Sequence, residues 1–275
     1  MNKNLTIGFS TCPNDTFIFD ALVHQKINTS GYSFGVVMAD VQELNRMALQ
    51  GDIDIVKVSY AHLPSLAGDY IALTAGGAMG FDCGPLLIAA DLSAASRLED
   101  ARVAIPGENT TAHFLLKRYF PQISDKTTML FSEIEDAVMK GTVDAGLIIH
   151  ESRFTYAAKG LASIADLGEL WHQETGLPIP LGAIAVKNSL DHSIRMEINT
   201  MVKESVEFAL ASPHEAMPFV KHHAVEMDEA VMLQHINLYV NQYSVDPGPD
   251  GRKAVALLLG GSWPDGLQLY VDQLK

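Results

Sequence analysis

Apolar positions along this chain alternate between two spacings. Short runs that are apolar at nearly every position read as strands buried on both faces. Such runs lie at Leu5 to Phe9, Tyr32 to Met38, Asp52 to Tyr60, Ile71 to Ala75, Gly84 to Ala90, Arg102 to Pro106, Met129 to Phe131, Val143 to Ile149, Ile164 to Leu167 and Ala183 to Val186. Between them, apolar residues recur at helical spacing. That spacing predicts helices from Pro13 to about Gln25, over Val41 to Gln50 with Gly51 closing it, over Ala61 to Leu66 and Thr110 to Tyr119, and over Ile134 to Met139 with Gly141 at its end. Past residue 190 only helices are predicted: Ser193 to Leu210, Pro213 to Val220, Asp228 to Tyr239 and Lys253 to Leu259. Gly168 to Leu181, with Trp171, Pro178 and Pro180, reads as a loop or short helix able to cover a cleft.

Two blocks therefore show strand–turn–helix–strand order, residues 1 to about 87 and about 100 to 185. The helical last third has no sheet of its own. The simplest arrangement returns it to the first block. This predicts an α/β protein of two lobes: residues 1–87 with 186–275 as the larger, discontinuous one, and residues 88–185 as the smaller. The crossings fall near Leu86 to Ala89 and Ala185 to Lys187, and a ligand is expected in the cleft between the lobes.

Chemistry gathers where predicted strands end, which is where open α/β sheets bind ligands. Ser10-Thr11-Cys12-Pro13-Asn14-Asp15-Thr16 is a polar turn leading into a helix start. Cys12 there reads either as a nucleophile or as a small residue packed near a ligand. Lys57 and Ser59 share one face of an apolar strand, with Val58 between them. A lysine in that setting either snorkels at a sheet edge or meets an anion. Asn109 to Ala112 opens a helix whose first N–H groups, near Thr110, Thr111 and Ala112, either receive a carboxylate or serve only as a capped helix start. His150 stands where the Leu147-Ile148-Ile149 run stops, followed by Glu151, Ser152 and Arg153. A histidine in that place either moves a proton near neutral pH or simply caps the strand.

Composition narrows the partners. The chain has 275 residues, 48% of them apolar, enough for a substantial core. Its net charge of −14 and the lack of a Lys/Arg cluster argue against nucleic acid. A small anion is still compatible, because a local site can oppose the global charge. Met1-Asn2-Lys3-Asn4 runs straight into a strand pattern, and no apolar run is long enough to span a membrane. With two cysteines and no disulfide framework, the expected compartment is the cytoplasm, with both thiols reduced. There is no His-Glu-x-x-His or paired-Cys motif, and the adjacent His222-His223 makes a poor metal pair, so no metal site is expected. Gly76 to Gly80 permits tight turns but lacks the phosphate-loop ending.

Four segments together resemble the 1,4-dihydroxy-6-naphthoate synthase family. They are Ser10-Thr11-Cys12-Pro13-Asn14-Asp15-Thr16-Phe17, Gly107-Glu108-Asn109-Thr110-Thr111-Ala112, Gly146 to Tyr156 with its Ile-Ile-His-Glu-Ser-Arg core, and Thr175 to Gly182. The resemblance runs over essentially the whole chain. It implies a periplasmic-binding-protein type II fold and the futalosine route to menaquinone. It implies conversion of cyclic dehypoxanthinyl futalosine to 1,4-dihydroxy-6-naphthoate without a metal or organic cofactor. His150 matches the family's proton acceptor. The family's substrate contacts fall on Lys57, Val58 and Ser59 and on Thr111 and Ala112. Asn14, Thr110 and Arg153, in the same segments, join the substrate-binding candidates. Two other readings use the same fold: a solute-binding protein without catalysis, and a chorismate dehydratase.

Overall fold

The computed structural model describes Lys3–Ala224 and Asp228–Gln273. Met1 and Asn2, the start of the segment read as running straight into a strand, lie outside the described residues. Two compact units form, Met1–Gly80 with Pro180–Lys275, and Phe81–Ile179. The divisions fall earlier in the chain than the crossings placed from sequence. Strand pairing explains the offset: Leu86–Ala89 bonds only within the second unit, and Ile179–Lys187 bonds to strands of the first.

The first leg of unit 1 runs β1 (Lys3–Phe9), α1 (Pro13–Val23), β2 (Tyr32–Met38), α2 (Val41–Gln50), β3 (Ile55–Ser59), β4 (Tyr70–Ala72) and β5 (Ala78–Gly80). Asp40 begins α2 by accepting the Gln42 and Glu43 N–H groups, and Gly51 at φ +71° ends it. Unit 2 follows with β6 (Leu86–Ala89), β7 (Val103–Ile105), α3 (Thr111–Tyr119), β8 (Lys126–Thr128), α4 (Ile134–Met139), β9 (Ala145–Ile148), α5 (Ser152–Thr155), β10 (Ala162–Asp166) and α6 (Leu167–Thr175). The chain returns as β11 (Ile179–Lys187) and ends in α7 (His192–Ala211), α8 (Pro213–His223), α9 (Glu229–Tyr239), α10 (Gln242–Val245) and α11 (Gly248–Leu259).

Unit 1 has the sheet order β2-β1-β3-β11-β4, with β5 also paired to β11. The β2, β1 and β3 strands are parallel, while β11 runs antiparallel to β3 and β4. Phe9, Phe17, Phe19 and Leu22 pack with Ile198, Val202 and Val206 of α7 and Val220 of α8. Unit 2 has the order β10-β6-β9-β7-β8. Its core joins Ile88 and Ile148 to Ile134 and Val138 of α4. Gly146 permits that packing, since a Cβ there would stand 2.4 Å from Ile134 Cγ2.

Several elements depart from the sequence reading. Ala78–Gly80, read as part of a glycine turn, forms β5. Gly251 lets α11 approach it, because a Cβ at Gly251 would meet Met79 Sδ at 2.8 Å. The strand placed at Met129 to Phe131 lies at Lys126–Thr128, as a partly exposed edge strand paired only to β7. Gly168 to Leu181 resolves the choice between a loop and a short helix. Its residues to Thr175 lie in α6, the short-helix alternative, and the segment enters β11 by Ile179, with Trp171 fully buried and its Nε1–H donating to the Pro178 carbonyl at 3.0 Å.

Candidate functional site

In unit 1 the polar turn after β1 is built around Asp15. Pro13 fits the first turn of α1, and Asp15 follows near the positive end of the helix. Its Oδ2 accepts from the Ser10 N–H at 3.1 Å and the Ser10 hydroxyl at 2.7 Å. Its Oδ1 accepts from Asn14 Nδ2 at 2.8 Å and lies 2.9 Å from Lys57 Nζ. Lys57 is buried in the interior strand β3, so it does not snorkel at an edge. The anion it meets is Asp15, and its ammonium also donates to the Gly76 carbonyl at 3.3 Å. Gly182, opposite Ser59 in β11, makes room for the lysine stem: a Cβ there would sit 2.7 Å from Lys57 Cε.

Two further networks touch these residues. Asn14 Oδ1 accepts from Nε2–H of His235, a fully buried residue of α9, at 2.8 Å. His235 carries no signal in the sequence, because no local pattern marks a partner 221 positions away. Ser59 receives Asn45 Nδ2 on its hydroxyl at 3.2 Å and gives its own N–H to Asn45 Oδ1 at 2.9 Å. His62 Nε2–H donates to the Asn45 carbonyl at 3.1 Å, and burial holds the His62 pKa below the usual histidine value despite that bond. Val58 is fully buried and pairs with Ala183. Cys12 is buried at the N-cap of α1.

In unit 2, Thr110 caps α3. Its hydroxyl accepts the His113 N–H at 3.1 Å and donates to the Gly107 carbonyl at 2.8 Å. That hydroxyl is thus occupied, and the N–H groups at the helix start belong to Thr111 and Ala112, both buried. His113 Nδ1–H donates to the Glu108 carbonyl at 2.9 Å, and burial lowers its pKa.

His150 follows β9, the central strand of its sheet, at φ +59°, in the left-handed region. The residue is half-buried, and its ring stands edge-on to Phe131, with centroids 4.9 Å apart. Arg153 holds structure: Nη1 donates to the Gly84 carbonyl at 2.8 Å, and Nη2 meets Asp166 Oδ2 at 2.5 Å. Each unit thus carries its own cluster of polar residues at the carboxyl ends of strands, β1 and β3 in one and β9 in the other. Among the described residues, no three His, Cys, Asp or Glu side chains group as a metal site. Nor is any helix among them long and apolar enough to cross a membrane.

Two α/β units, the first built from both ends of the chain, define a protein with a periplasmic-binding-protein-like fold. The alkanesulfonate-binding protein SsuA of Xanthomonas axonopodis pv. citri, solved with bound MOPS, superimposes with a TM-score of 0.69 at 13% identity, over 97% of this chain and 96% of that one. At that identity the likeness carries the fold alone. A family model described as menaquinone biosynthesis matches residues 5–261. A 1,4-dihydroxy-6-naphthoate synthase of Thermus thermophilus is 44% identical over 96% of this chain and 95% of its own length. Another, from Streptomyces coelicolor, is 43% identical over 96% and 94%. The chain belongs to the 1,4-dihydroxy-6-naphthoate synthase family of menaquinone biosynthesis.

Proposed function

We propose that the chain converts cyclic dehypoxanthinyl futalosine to 1,4-dihydroxy-6-naphthoate in the cytoplasm, with His150 as general base. The observation that carries this reading is a half-buried histidine just past the end of a central strand, in a chain 43–44% identical to two such synthases over nearly its whole length. Proton removal from the sugar-derived ring starts a C–C fragmentation that releases a sugar-derived fragment and leaves an aromatic diol. Aromaticity supplies the driving force, so the protein's task is to hold geometry and accept a proton.

We assign substrate contacts to Lys57, Val58, Ser59 and Asn14 in unit 1, and to Thr110, Thr111, Ala112 and Arg153 in unit 2. A substrate carboxylate suits the Ala112 N–H at the helix start in unit 2; in unit 1 the positive element is the Lys57 ammonium, which has three donors and two acceptors among the described residues. Because the Thr110 hydroxyl and the Arg153 guanidinium already hold internal partners, their contribution is chiefly to fix the backbone around Thr111 and His150.

The test is a chromatographic assay of the purified protein with cyclic dehypoxanthinyl futalosine, run beside folded His150→Ala. The expected result is a dihydroxynaphthoate peak from the parent, cut by a factor on the order of 10² or more in the variant. Chorismate consumption instead would reassign the substrate. Undiminished turnover by His150→Ala would remove the base assignment.

A further inference from the structure

The segment that follows His150 is tied to two carboxylates with no part in the chemistry above. β9 ends at Ile148, His150 takes φ +59°, and α5 begins at Ser152. A non-glycine residue in that conformation persists only where its surroundings hold it. α5 is a single turn of four residues without a side-chain cap, so it supplies little of that hold itself.

Glu135 of α4 provides one fixed point. It is 3% exposed, and its Oε2 accepts from the Ser152 hydroxyl at 3.1 Å and from Lys159 Nζ at 2.8 Å. One oxygen thereby grips both ends of the helical stretch 152–159. Its other oxygen, Oε1, is buried with no hydrogen-bond partner among the described residues, so the carboxylate gives up solvation to keep those contacts. Phe131, whose ring meets His150, opens the short 3-10 turn that leads into α4. Asp166, the last residue of β10, provides the other fixed point. Its Oδ2 takes Arg153 Nη2, while Oδ1 accepts the Gly168 N–H at 2.8 Å and the Glu169 N–H at 3.2 Å as the cap of α6. Consecutive residues, Ser152 and Arg153, are therefore tied to separate elements immediately after His150.

We propose that Glu135 and Asp166 are positioning residues for His150, a two-carboxylate clamp that holds the imidazole for proton transfer. This rests on His150 being the base. Glu135→Ala and Asp166→Asn are expected to lower kcat about 10- to 100-fold with KM within about twofold, since angström-scale misplacement of a reacting group is that costly. Glu135→Gln keeps an acceptor for Ser152 and should recover most of the loss.

A second readout does not depend on turnover. The His150 resonance, in protein with isotope-labelled imidazoles, is assigned by its absence from His150→Ala and titrated in each variant. The clamp predicts a shifted titration midpoint or a split signal in Glu135→Ala and Asp166→Asn. An unchanged resonance and unchanged kcat in folded variants would overturn the proposal, as would a rise in KM at constant kcat. If Asp166→Asn fails to fold, Ser152→Ala removes one contact only and should still lower kcat several-fold; no change there overturns the Glu135 arm. If His150→Ala retains full turnover, the base reading fails, while the resonance still reports whether the clamp holds the ring.

Discussion

Removing one member of the Lys57–Asp15 pair should destabilise unit 1 more than any surface change, and by different amounts from the two sides. Both side chains are more than nine-tenths buried, and Nζ lies 2.9 Å from Oδ1. At an effective dielectric of about 20 that spacing gives roughly 6 kcal/mol of gross attraction, most of which offsets the cost of dehydrating the two groups. Breaking a buried pair from one side typically costs about 3–5 kcal/mol, because the remaining charge stays buried. In Lys57→Met the orphaned carboxylate keeps the Ser10 N–H, the Ser10 hydroxyl and the Asn14 amide. Its loss belongs at the low end, about 3 kcal/mol. In Asp15→Ala the ammonium keeps, among the described residues, only the Gly76 carbonyl at 3.3 Å, while Ser10 and Asn14 lose an acceptor. Its loss belongs at the high end, about 5 kcal/mol. The double variant Lys57→Met/Asp15→Ala should cost less than the sum, with a coupling on the order of 2 kcal/mol. The assay is urea unfolding of all four proteins, followed by near- and far-UV circular dichroism. Losses under about 1 kcal/mol in both single variants, or strict additivity in the double, would refute the reasoning.

Three further expectations concern other parts of the molecule. Gly84→Ala places a Cβ 2.1 Å from the Gly168 nitrogen, so it should cost over about 2 kcal/mol, whereas Gly35→Ala, 3.9 Å from its nearest neighbour, should stay within about 0.5 kcal/mol; equal urea midpoints would contradict this. Ser59→Ala should raise KM more than it lowers kcat, if Ser59 serves binding; steady-state kinetics decide, and a pure kcat loss counts against it. Burial lowers the pKa of His62 and His113 in the fold, so each stays neutral while the unfolded chain takes a proton near pH 6.5. Their contribution is complete above that pH and is lost as pH falls from about 6.5 towards the folded values, with a slope of at most about 1.4 kcal/mol per pH unit each. His62→Asn and His113→Asn should flatten that slope in urea midpoints measured from pH 7.5 to pH 5.5; parallel slopes would argue otherwise.

The elements whose ends are set by neighbouring residues were legible in the sequence. β2 and α2 have the bounds read from pattern, because Asp40 and Gly51 stop the helix by local bonds and backbone angle. What pattern missed depends on distant partners. β5 is a glycine-flanked strand that exists because β11 pairs with it. α11 starts at Gly248, earlier than its apolar spacing suggests, where Gly251 packs on Met79. The return of the chain to its first block was legible because two α/β blocks and a helical tail have few ways to arrange, whereas the periplasmic-binding-protein fold was implied by the family resemblance. For the candidate site, the residue types at strand ends were visible, and their neighbours were not. Lys57 left two readings open until β3 was seen inside its sheet with Asp15 against it. His235 and Asn45 gave no signal at all, since each acts through a bond that only the fold creates.

The position of β11 has a consequence for how the chain is made. The sheet of unit 1 places β11 between β3 and β4, and the strand arrives only after the whole of Phe81–Ile179. β4 also waits for the far end of the chain, since Ala72 exchanges backbone bonds with Leu269 and Val271. During synthesis the first eighty residues therefore hold β1, β2 and β3 with an open edge, while unit 2 already has every strand it needs. The middle of the chain can finish first, and the amino-terminal part, made earliest, must finish last. A ribosome paused before residue 180 would display the β3 edge unpaired, the stage at which this chain is most exposed to aggregation and to chaperone capture.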